Sequence, residues 1–443
     1  MTRYLFTLLS RQKPCLPLFH SQTMFMSSYT VTRVSKSMVT PSEPTPNETL
    51  TLSIIDRVPG LRHCVRSIHA FKHGQEPAKV IKEALSKTLV HYYPFAGRFI
   101  DPVSPAAGEV TVACSGEGAY FIKAKADCTL EDVKNLDLPL MIPAHDLLPE
   151  PHPEISPLNM PLMMQVTEFK CGGFTVGIIS VHTLADGLGA AQFITALSEL
   201  ARGLPNPTIK PNNNRSIIPN PPKPPPGPPP SFKNLNLNYS TFDVSPDSIS
   251  KIKTHYFNKT GNYCSTFDVS IAKVWQARTR AIKLEDTELV HLCFFANTRP
   301  YLNQHDPAPP GFYANCFYPV TVSSTSGEVA KLDLVDLVHL IKEAKLRLPT
   351  EFAKWASGGF KHDPYELTFD YNWLFVSDWT KLGFQEVDYG WGTPVHVVPF
   401  AYNDIMAVAI LGSPVVPKKG SRMMTQCVND DHLADFEAEM ANF

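Results

Sequence analysis

The sequence has no apolar run approaching the ~20 residues of a membrane-spanning helix, so no helical span is expected. It has no basic excess: 40 Lys and Arg against 42 Asp and Glu leave a formal net charge of −2, whereas a nucleic-acid binder carries a positive footprint. It has no C-x-x-C pair. Its nine cysteines (Cys15, Cys64, Cys114, Cys128, Cys171, Cys264, Cys293, Cys316, Cys427) are odd in number and scattered, which fits reduced thiols in a cytosolic protein better than a disulfide framework. H-E-x-x-H, G-x-S-x-G and P-loop motifs are missing, and Gly116-Glu117-Gly118 lacks the third glycine of a dinucleotide fingerprint. No metal and no resident cofactor is therefore implied. The partner expected is a neutral small molecule.

What is present is ample core. In 443 residues, 43% are hydrophobic and 19% charged, enough for two packed domains of roughly 200 residues each. Residues 1–30 hold Arg3, Arg11 and Lys13 and no acid before Glu43, the composition of a transit peptide; the competing reading is a start-site variant in which Met24 or Met26 begins the working protein. Cytosolic location is expected, with organelle import through residues 1–30 as the alternative. Residues 205–235, with Asn212-Asn213-Asn214 and the run from Lys223 to Pro230, read as a proline-rich crossover linker, because proline cannot join a ladder and biases the chain to an extended form. The expected domains are 31–204 and 236–443.

Helices and strands alternate on both sides of that linker, which predicts mixed α/β character in each half. AKVIKEALSKTLVHYY repeats apolar residues at Ile81, Leu85 and Leu89 and should stop at Tyr93-Pro94. FTVGIISV (174–181) reads as a buried strand, and GLGAAQFITALSELARG as the helix after it. SIAKVWQARTRAI, DLVDLVHLIKEAKLRL and DHLADFEAEMANF read as helices, and HLCFFANTR as a strand.

Between that buried strand and its helix lies His182-Thr183-Leu184-Ala185-Asp186-Gly187, which puts a titratable base where a side chain is rigidly held yet can face a cavity. Acyl transfer from a thioester needs a base to take the acceptor's proton, and an imidazole of ordinary pKa about 6.5 is mostly neutral near pH 7 and competent to accept. Asp186 has two readings: it could orient His182, or cap the following helix beside Gly187. The position favours the structural one. A second constellation, Asp388-Tyr389-Gly390-Trp391-Gly392, uses glycines to turn tightly around a presented indole.

Taken together, these motifs resemble a plant BAHD-type acyl-CoA-dependent acyltransferase. His182 to Gly187 matches that family's H-x-x-x-D-G, Asp388 to Gly392 its D-F-G-W-G with Tyr389 in place of phenylalanine, and Tyr93 to Arg98 its Y-P-x-A-G-R. The resemblance runs from about Val31 to the C-terminus. It implies two similar mixed-sheet α/β domains, chloramphenicol acetyltransferase-like, with an active-site channel at their interface. It also implies His182 as general base, acyl-CoA as co-substrate and a monomer acting on a small-molecule alcohol or amine. By the same resemblance Asp186, Gly187, Asp388, Gly390, Trp391 and Gly392 are structural. Arg299 is the candidate ion-pair partner of Asp186 or Asp388, and Ser265 and Thr266 are candidates for the coenzyme wall. The hydroxyl of Tyr389 is expected to reach water.

The expected reaction is transfer of an aromatic acyl group, hydroxycinnamoyl or benzoyl, to a hydroxyl of a small specialised metabolite without an acyl-enzyme. Competing readings are N-acylation of a polyamine or aromatic amine, O-acylation from acetyl-CoA, and a catalytically silent homologue that binds acyl-CoA. A carrier-protein condensation domain normally has two adjacent histidines before x-x-x-D-G, and Val181 occupies the first of those positions here.

Overall fold

The structure is a computed structural model that describes residues 29–443 apart from 104–107, 223–232, 303–308 and 401–403. The N-terminal segment 1–28 and most of the proline run thus lie outside the described residues. Along the described chain the strands are β1 (Val31–Val39), β2 (Thr49–Thr51), β3 (Cys64–Phe71), β4 (Arg98–Ile100), β5 (Thr111–Ala113), β6 (Ala119–Ala126), β7 (Leu162–Glu168), β8 (Phe174–Val181), β9 (Asn238–Val244), β10 (Leu289–Asn297), β11 (Phe317–Thr325), β12 (Trp373–Asp378), β13 (His396–Phe400), β14 (Val408–Gly412) and β15 (Ser421–Val428). The helices are α1 (Pro77–His91), α2 (Ala144–Leu147), α3 (Gly187–Ala201), α4 (Pro246–Thr260), α5 (Thr266–Ile282), α6 (Ser326–Lys331), α7 (Leu334–Ala356) and α8 (Asp430–Ala441).

The chain forms two compact units. The first carries a six-stranded sheet in the order β1-β6-β7-β8-β3-β13, mixed because β6 and β7 run parallel, and a small sheet β2-β5-β4. Strand β8 lies between β7 and β3, and its residues are buried except Ser180, which is why its sequence is apolar nearly throughout rather than alternating. Helix α1 buries Ile81, Leu85 and Leu89, as the period predicts. Just past its end Tyr92 and Phe95 meet Phe193 of α3 at ring centroids of 5.3 and 4.6 Å, joining the two helices through an aromatic core.

The second unit repeats the plan with a mixed sheet in the order β11-β10-β12-β14-β15-β9. Its central helix α5 is buried on nearly every face, including Trp275 and Arg278. That buried guanidinium is satisfied by carbonyls: Nε donates to Cys427 O at 2.7 Å and Nη2 to Tyr371 O.

The structure departs from two sequence expectations. A boundary at the linker with 236–443 as one domain does not describe the units, because residues 308–316 and 382–400 count with the first. The physical reason is visible at β13, which pairs antiparallel with β3 from His396↔Ala70 to Phe400↔Arg66 and closes that sheet's edge. The motif at Asp388 therefore belongs to the same unit as His182. Helix α7 also runs past the expected stop and carries Pro349 inside it, where proline removes a donor. Beyond the proline, Phe352 and Trp355 are buried, and their packing sustains the last turns.

Candidate active site around His182

The β8–β3 ladder sets the position of the base. Val181 pairs with Cys64, and one step further His182 N donates to His63 O at 3.0 Å, so the two histidines oppose each other beyond the strand ends. The chain then turns and enters α3 at Asp186, whose extended backbone makes it the N-cap. Its Oδ1 accepts from Gly189 N at 2.9 Å and its Oδ2 from Cys316 N at 3.0 Å. A side chain on Gly189 would sit 1.9 Å from Tyr313 O, so this glycine lets the backbone at Tyr313 lie against the helix start. A side chain on Gly187 would meet Leu382 Cδ1 at 2.8 Å, the movable end of a flexible side chain, so this position is less tightly confined.

Segment 308–316 brings the decisive neighbour. His182 Nδ1 lies 3.1 Å from Asn315 Oδ1. The Asn315 Nδ2 faces only acceptors: Asp56 Oδ1 at 2.8 Å, His182 O at 3.0 Å and Thr183 O at 3.2 Å. An amide whose nitrogen sees a carboxylate and two carbonyls has its orientation fixed by the network, so its oxygen must accept from His182 Nδ1–H. The lone pair is then on Nε2. Asp56 is held in turn by Ser53 N at 3.0 Å, Ser53 Oγ at 2.8 Å and Arg215 Nε at 2.9 Å. Arg215 Nη2 donates to Leu184 O at 2.7 Å, which pins the turn between His182 and Asp186. Asp56 and Arg215 form a buried ion pair, with side chains 0% and 3% exposed.

His182 keeps some exposed surface yet is crowded by protein. Burial, the largest influence, lowers its pKa below the usual imidazole range, against the opposing effects of Asp186, its own backbone, Asn315 and Asp56. A base held neutral is ready to accept a proton. Asn315, Asp56, Arg215 and His63 carry no signal in the sequence reading, since each is a lone residue outside any motif.

The second motif is a closed turn. Asp388 Oδ1 accepts from Gly390 N, Trp391 N and Gly392 N at 2.7, 2.9 and 2.8 Å. Burial opposes its ionisation, but these backbone donors, with Arg202 nearby, hold its pKa below the usual carboxylate range. Gly390 and Gly392 have φ of 102° and 92°, where side chains are strained. Trp391 meets Phe174 of β8 edge to face at 5.7 Å, and Arg202 at the end of α3 donates to Asp388 O. The cation beside Asp388 within its unit is thus Arg202. Tyr389 departs from expectation: its hydroxyl is buried without a hydrogen-bond partner among the described residues rather than reaching water, and its ring packs on Phe71 at 5.3 Å.

The other candidates lie in the second unit. Arg299 begins a short 3-10 turn, and its described hydrogen bonds run to Asn297 Oδ1. Ser265 caps α5, its Oγ accepting from Asp268 N at 3.1 Å while Asp268 reaches back to Ser265 N at 2.9 Å. Thr266 Oγ1 accepts from Lys253 Nζ at 2.9 Å, which puts a cation at that helix start.

The profile described as the transferase family matches residues 29–443. The chain is 57% identical over 436 residues to acyl transferase 4 of Oryza sativa subsp. japonica, covering 94% of this chain and 99% of the relative. It is 42% identical over 438 residues to myricetin 3-O-glucosyl 1,2-rhamnoside 6'-O-caffeoyltransferase AT2 of Crocosmia x crocosmiiflora, covering 94% and 100%. Among solved structures, F. graminearum TRI101 complexed with coenzyme A and T-2 mycotoxin superposes with a TM-score of 0.74 at 15% identity, covering 89% of this chain and 99% of that one.

Proposed function

The chain belongs to the transferase family of BAHD-type acyltransferases, and from that membership we propose that it transfers an aromatic acyl group from coenzyme A to a hydroxyl of a small specialised metabolite. The observation that carries the reading is the contact of His182 Nδ1 with Asn315 Oδ1, which leaves Nε2 as a neutral, oriented base. The acceptor O–H gives its proton to Nε2 as its oxygen attacks the thioester carbonyl. The C–O bond forms, the C–S bond breaks, and the imidazolium returns its proton to the departing thiolate, so the products are ester and free coenzyme A. No acyl-enzyme is needed. A positioned base contributes about 10²–10⁴-fold, and holding both substrates together about 7–11 kcal/mol more.

A caffeoyl-transferring relative with which the chain aligns almost end to end supports the aromatic donor and the hydroxyl acceptor. A solved relative in fold holding coenzyme A and a small molecule supports a two-substrate site. Ser265 and Thr266, with Lys253 beside them, are the proposed contacts for the coenzyme's anionic end. The chain acts without a further cofactor and as a monomer. A cytosolic site of action is favoured by the described cysteines, none of which forms a disulfide.

The test is incubation of the purified chain with caffeoyl-CoA, benzoyl-CoA or acetyl-CoA and a panel of alcohols and amines, with products read by mass. An aromatic ester is expected. An amide or an acetyl ester as the main product would move the reading to its alternatives, and no product from any pair would leave only the silent homologue.

A further inference from the structure

His63 is absent from every sequence motif, yet it is the residue opposite His182. The two rings lie 5.4 Å apart between centroids and are tilted by 48°. The backbone also joins them, through His182 N to His63 O. His63 is itself fixed on both sides. Its Nδ1 is 2.7 Å from Gly60 O, a contact that places the proton on Nδ1. The turn before it is closed by Leu61 N to Val58 O at 2.9 Å and His63 N to Leu61 O at 2.9 Å, while Thr183 Oγ1 donates to Leu61 O at 3.1 Å. The loop carrying His63 and the loop carrying His182 are thus tied at two points.

We propose that His63 is a positioning residue for His182: its ring is the wall that keeps the base's imidazole turned toward Asn315 and keeps water from that flank. The inference rests on the acyl-transfer reading of His182. Three properties make the residue suited to this. A flat ring in contact restricts the rotation of its neighbour. Its loop cannot drift, because its backbone is bonded into the turn and to the loop that carries His182. It also stays uncharged, since burial first, then the proximity of His182, hold its pKa down to about 3. When His182 becomes imidazolium in the transition state, no second cation opposes it from that side. The charged or titratable groups facing the pair are Asp186 at the start of α3, Asp56 in the turn at 53–56, and Arg66 on β3.

His63→Ala and His63→Phe separate this role from space filling. Alanine opens the flank to water, so the proton affinity of His182 should rise toward that of a free imidazole. In His63→Ala the acid limb of the kcat/KM profile should move up by about one pH unit, and kcat should fall about 10–10²-fold with KM little changed, the scale of a misplaced catalytic group. In His63→Phe, which keeps a flat desolvating ring, both should stay near wild type. Full-length wild-type protein with isotope-labelled histidine gives a readout independent of turnover: the titration midpoint of His182 by NMR should rise in His63→Ala and hold in His63→Phe. A wild type without activity would fail the acyl-transfer reading and leave this measurement standing. An unmoved midpoint and pH limb in His63→Ala would overturn the proposal. Equal loss of kcat in both variants with normal melting would also overturn it, because the imidazole's own chemistry would then be at work. Should His63→Ala not fold, His63→Phe decides: wild-type kcat and pH limb support the wall, and a tenfold or greater loss overturns it.

Discussion

His182 Nδ1 lies 3.1 Å from Asn315 Oδ1, and this one contact determines which nitrogen of the base is left for chemistry. Removing the amide should therefore cost both rate and stability. Asn315→Ala frees the imidazole to change tautomer and strips Asp56 Oδ1 and two backbone carbonyls of a donor. The expected result is a fall in kcat of about 10–10²-fold with a lower melting temperature, since a buried acceptor that loses its donor costs about 1–3 kcal/mol, although Asp56 Oδ1 keeps the backbone N–H of residue 315 at 3.2 Å. Steady-state kinetics and a melting curve check it; unchanged kcat would mean that the tautomer is set elsewhere.

For the base itself, His182→Ala should lower turnover by about 10²–10⁴-fold while the protein stays folded. The side chain is partly exposed at a strand end, so its loss opens no core cavity. Circular dichroism and product assays on one preparation test both halves. Full activity would remove His182 from the mechanism.

Asp186 is expected to matter through structure. Its two oxygens accept from Gly189 N and Cys316 N, one capping α3 and the other holding Cys316 beside it. Loss of a cap costs about 0.5–2 kcal/mol, and the buried Cys316 amide adds about 1–3 kcal/mol when orphaned. Asp186→Ala should thus melt several degrees lower, and Asp186→Asn, which keeps an acceptor, should fall between it and wild type. If the two variants melt alike, hydrogen bonding is not what the carboxylate supplies.

Much of this architecture was readable from pattern. Strand 174–181 and the helix starting at Gly187 show as an apolar run and a helical period, and a carboxylate just before that helix reads as a cap. The network behind His182 was not readable, because Asn315 lies 133 residues from His182 and 259 from Asp56, and neither neighbour leaves a local trace. The exchange of residues 308–316 and 382–400 between units was hidden for the same reason. Strand β13 reads like any short apolar segment until β3 is seen to offer it an edge. Pro349 shows the opposite failure: a valid local rule was overridden by the burial of Phe352 and Trp355.

Tyr389 offers a stabilising substitution. Its hydroxyl is buried without a hydrogen-bond partner among the described residues, and the ring alone makes the contacts with Phe71 and Phe174. Desolvating a polar group without a hydrogen bond costs about 1–3 kcal/mol, so Tyr389→Phe should raise the melting temperature while leaving turnover unchanged. A lower melting temperature would show that the hydroxyl is satisfied by a trapped water.

Acid should weaken the first unit through a buried histidine remote from the chemistry. His69 on β3 is 1% exposed, with Nε2 3.1 Å from Ser67 Oγ, and burial pushes its pKa down to about 3. The unfolded chain would titrate near 6.5 and so binds more protons than the folded one below that pH. The contribution of neutral His69 is fully present above pH 6.5 and is lost as pH falls toward 3, at about 1.4 kcal/mol per pH unit. His69→Gln keeps a polar partner for Ser67 and cannot titrate. Denaturant unfolding at pH 7.5, 6 and 5 should therefore show wild type losing stability faster than the variant as pH falls. Parallel loss in the two proteins would mean that His69 is already charged in the folded state, or that other groups govern acid unfolding.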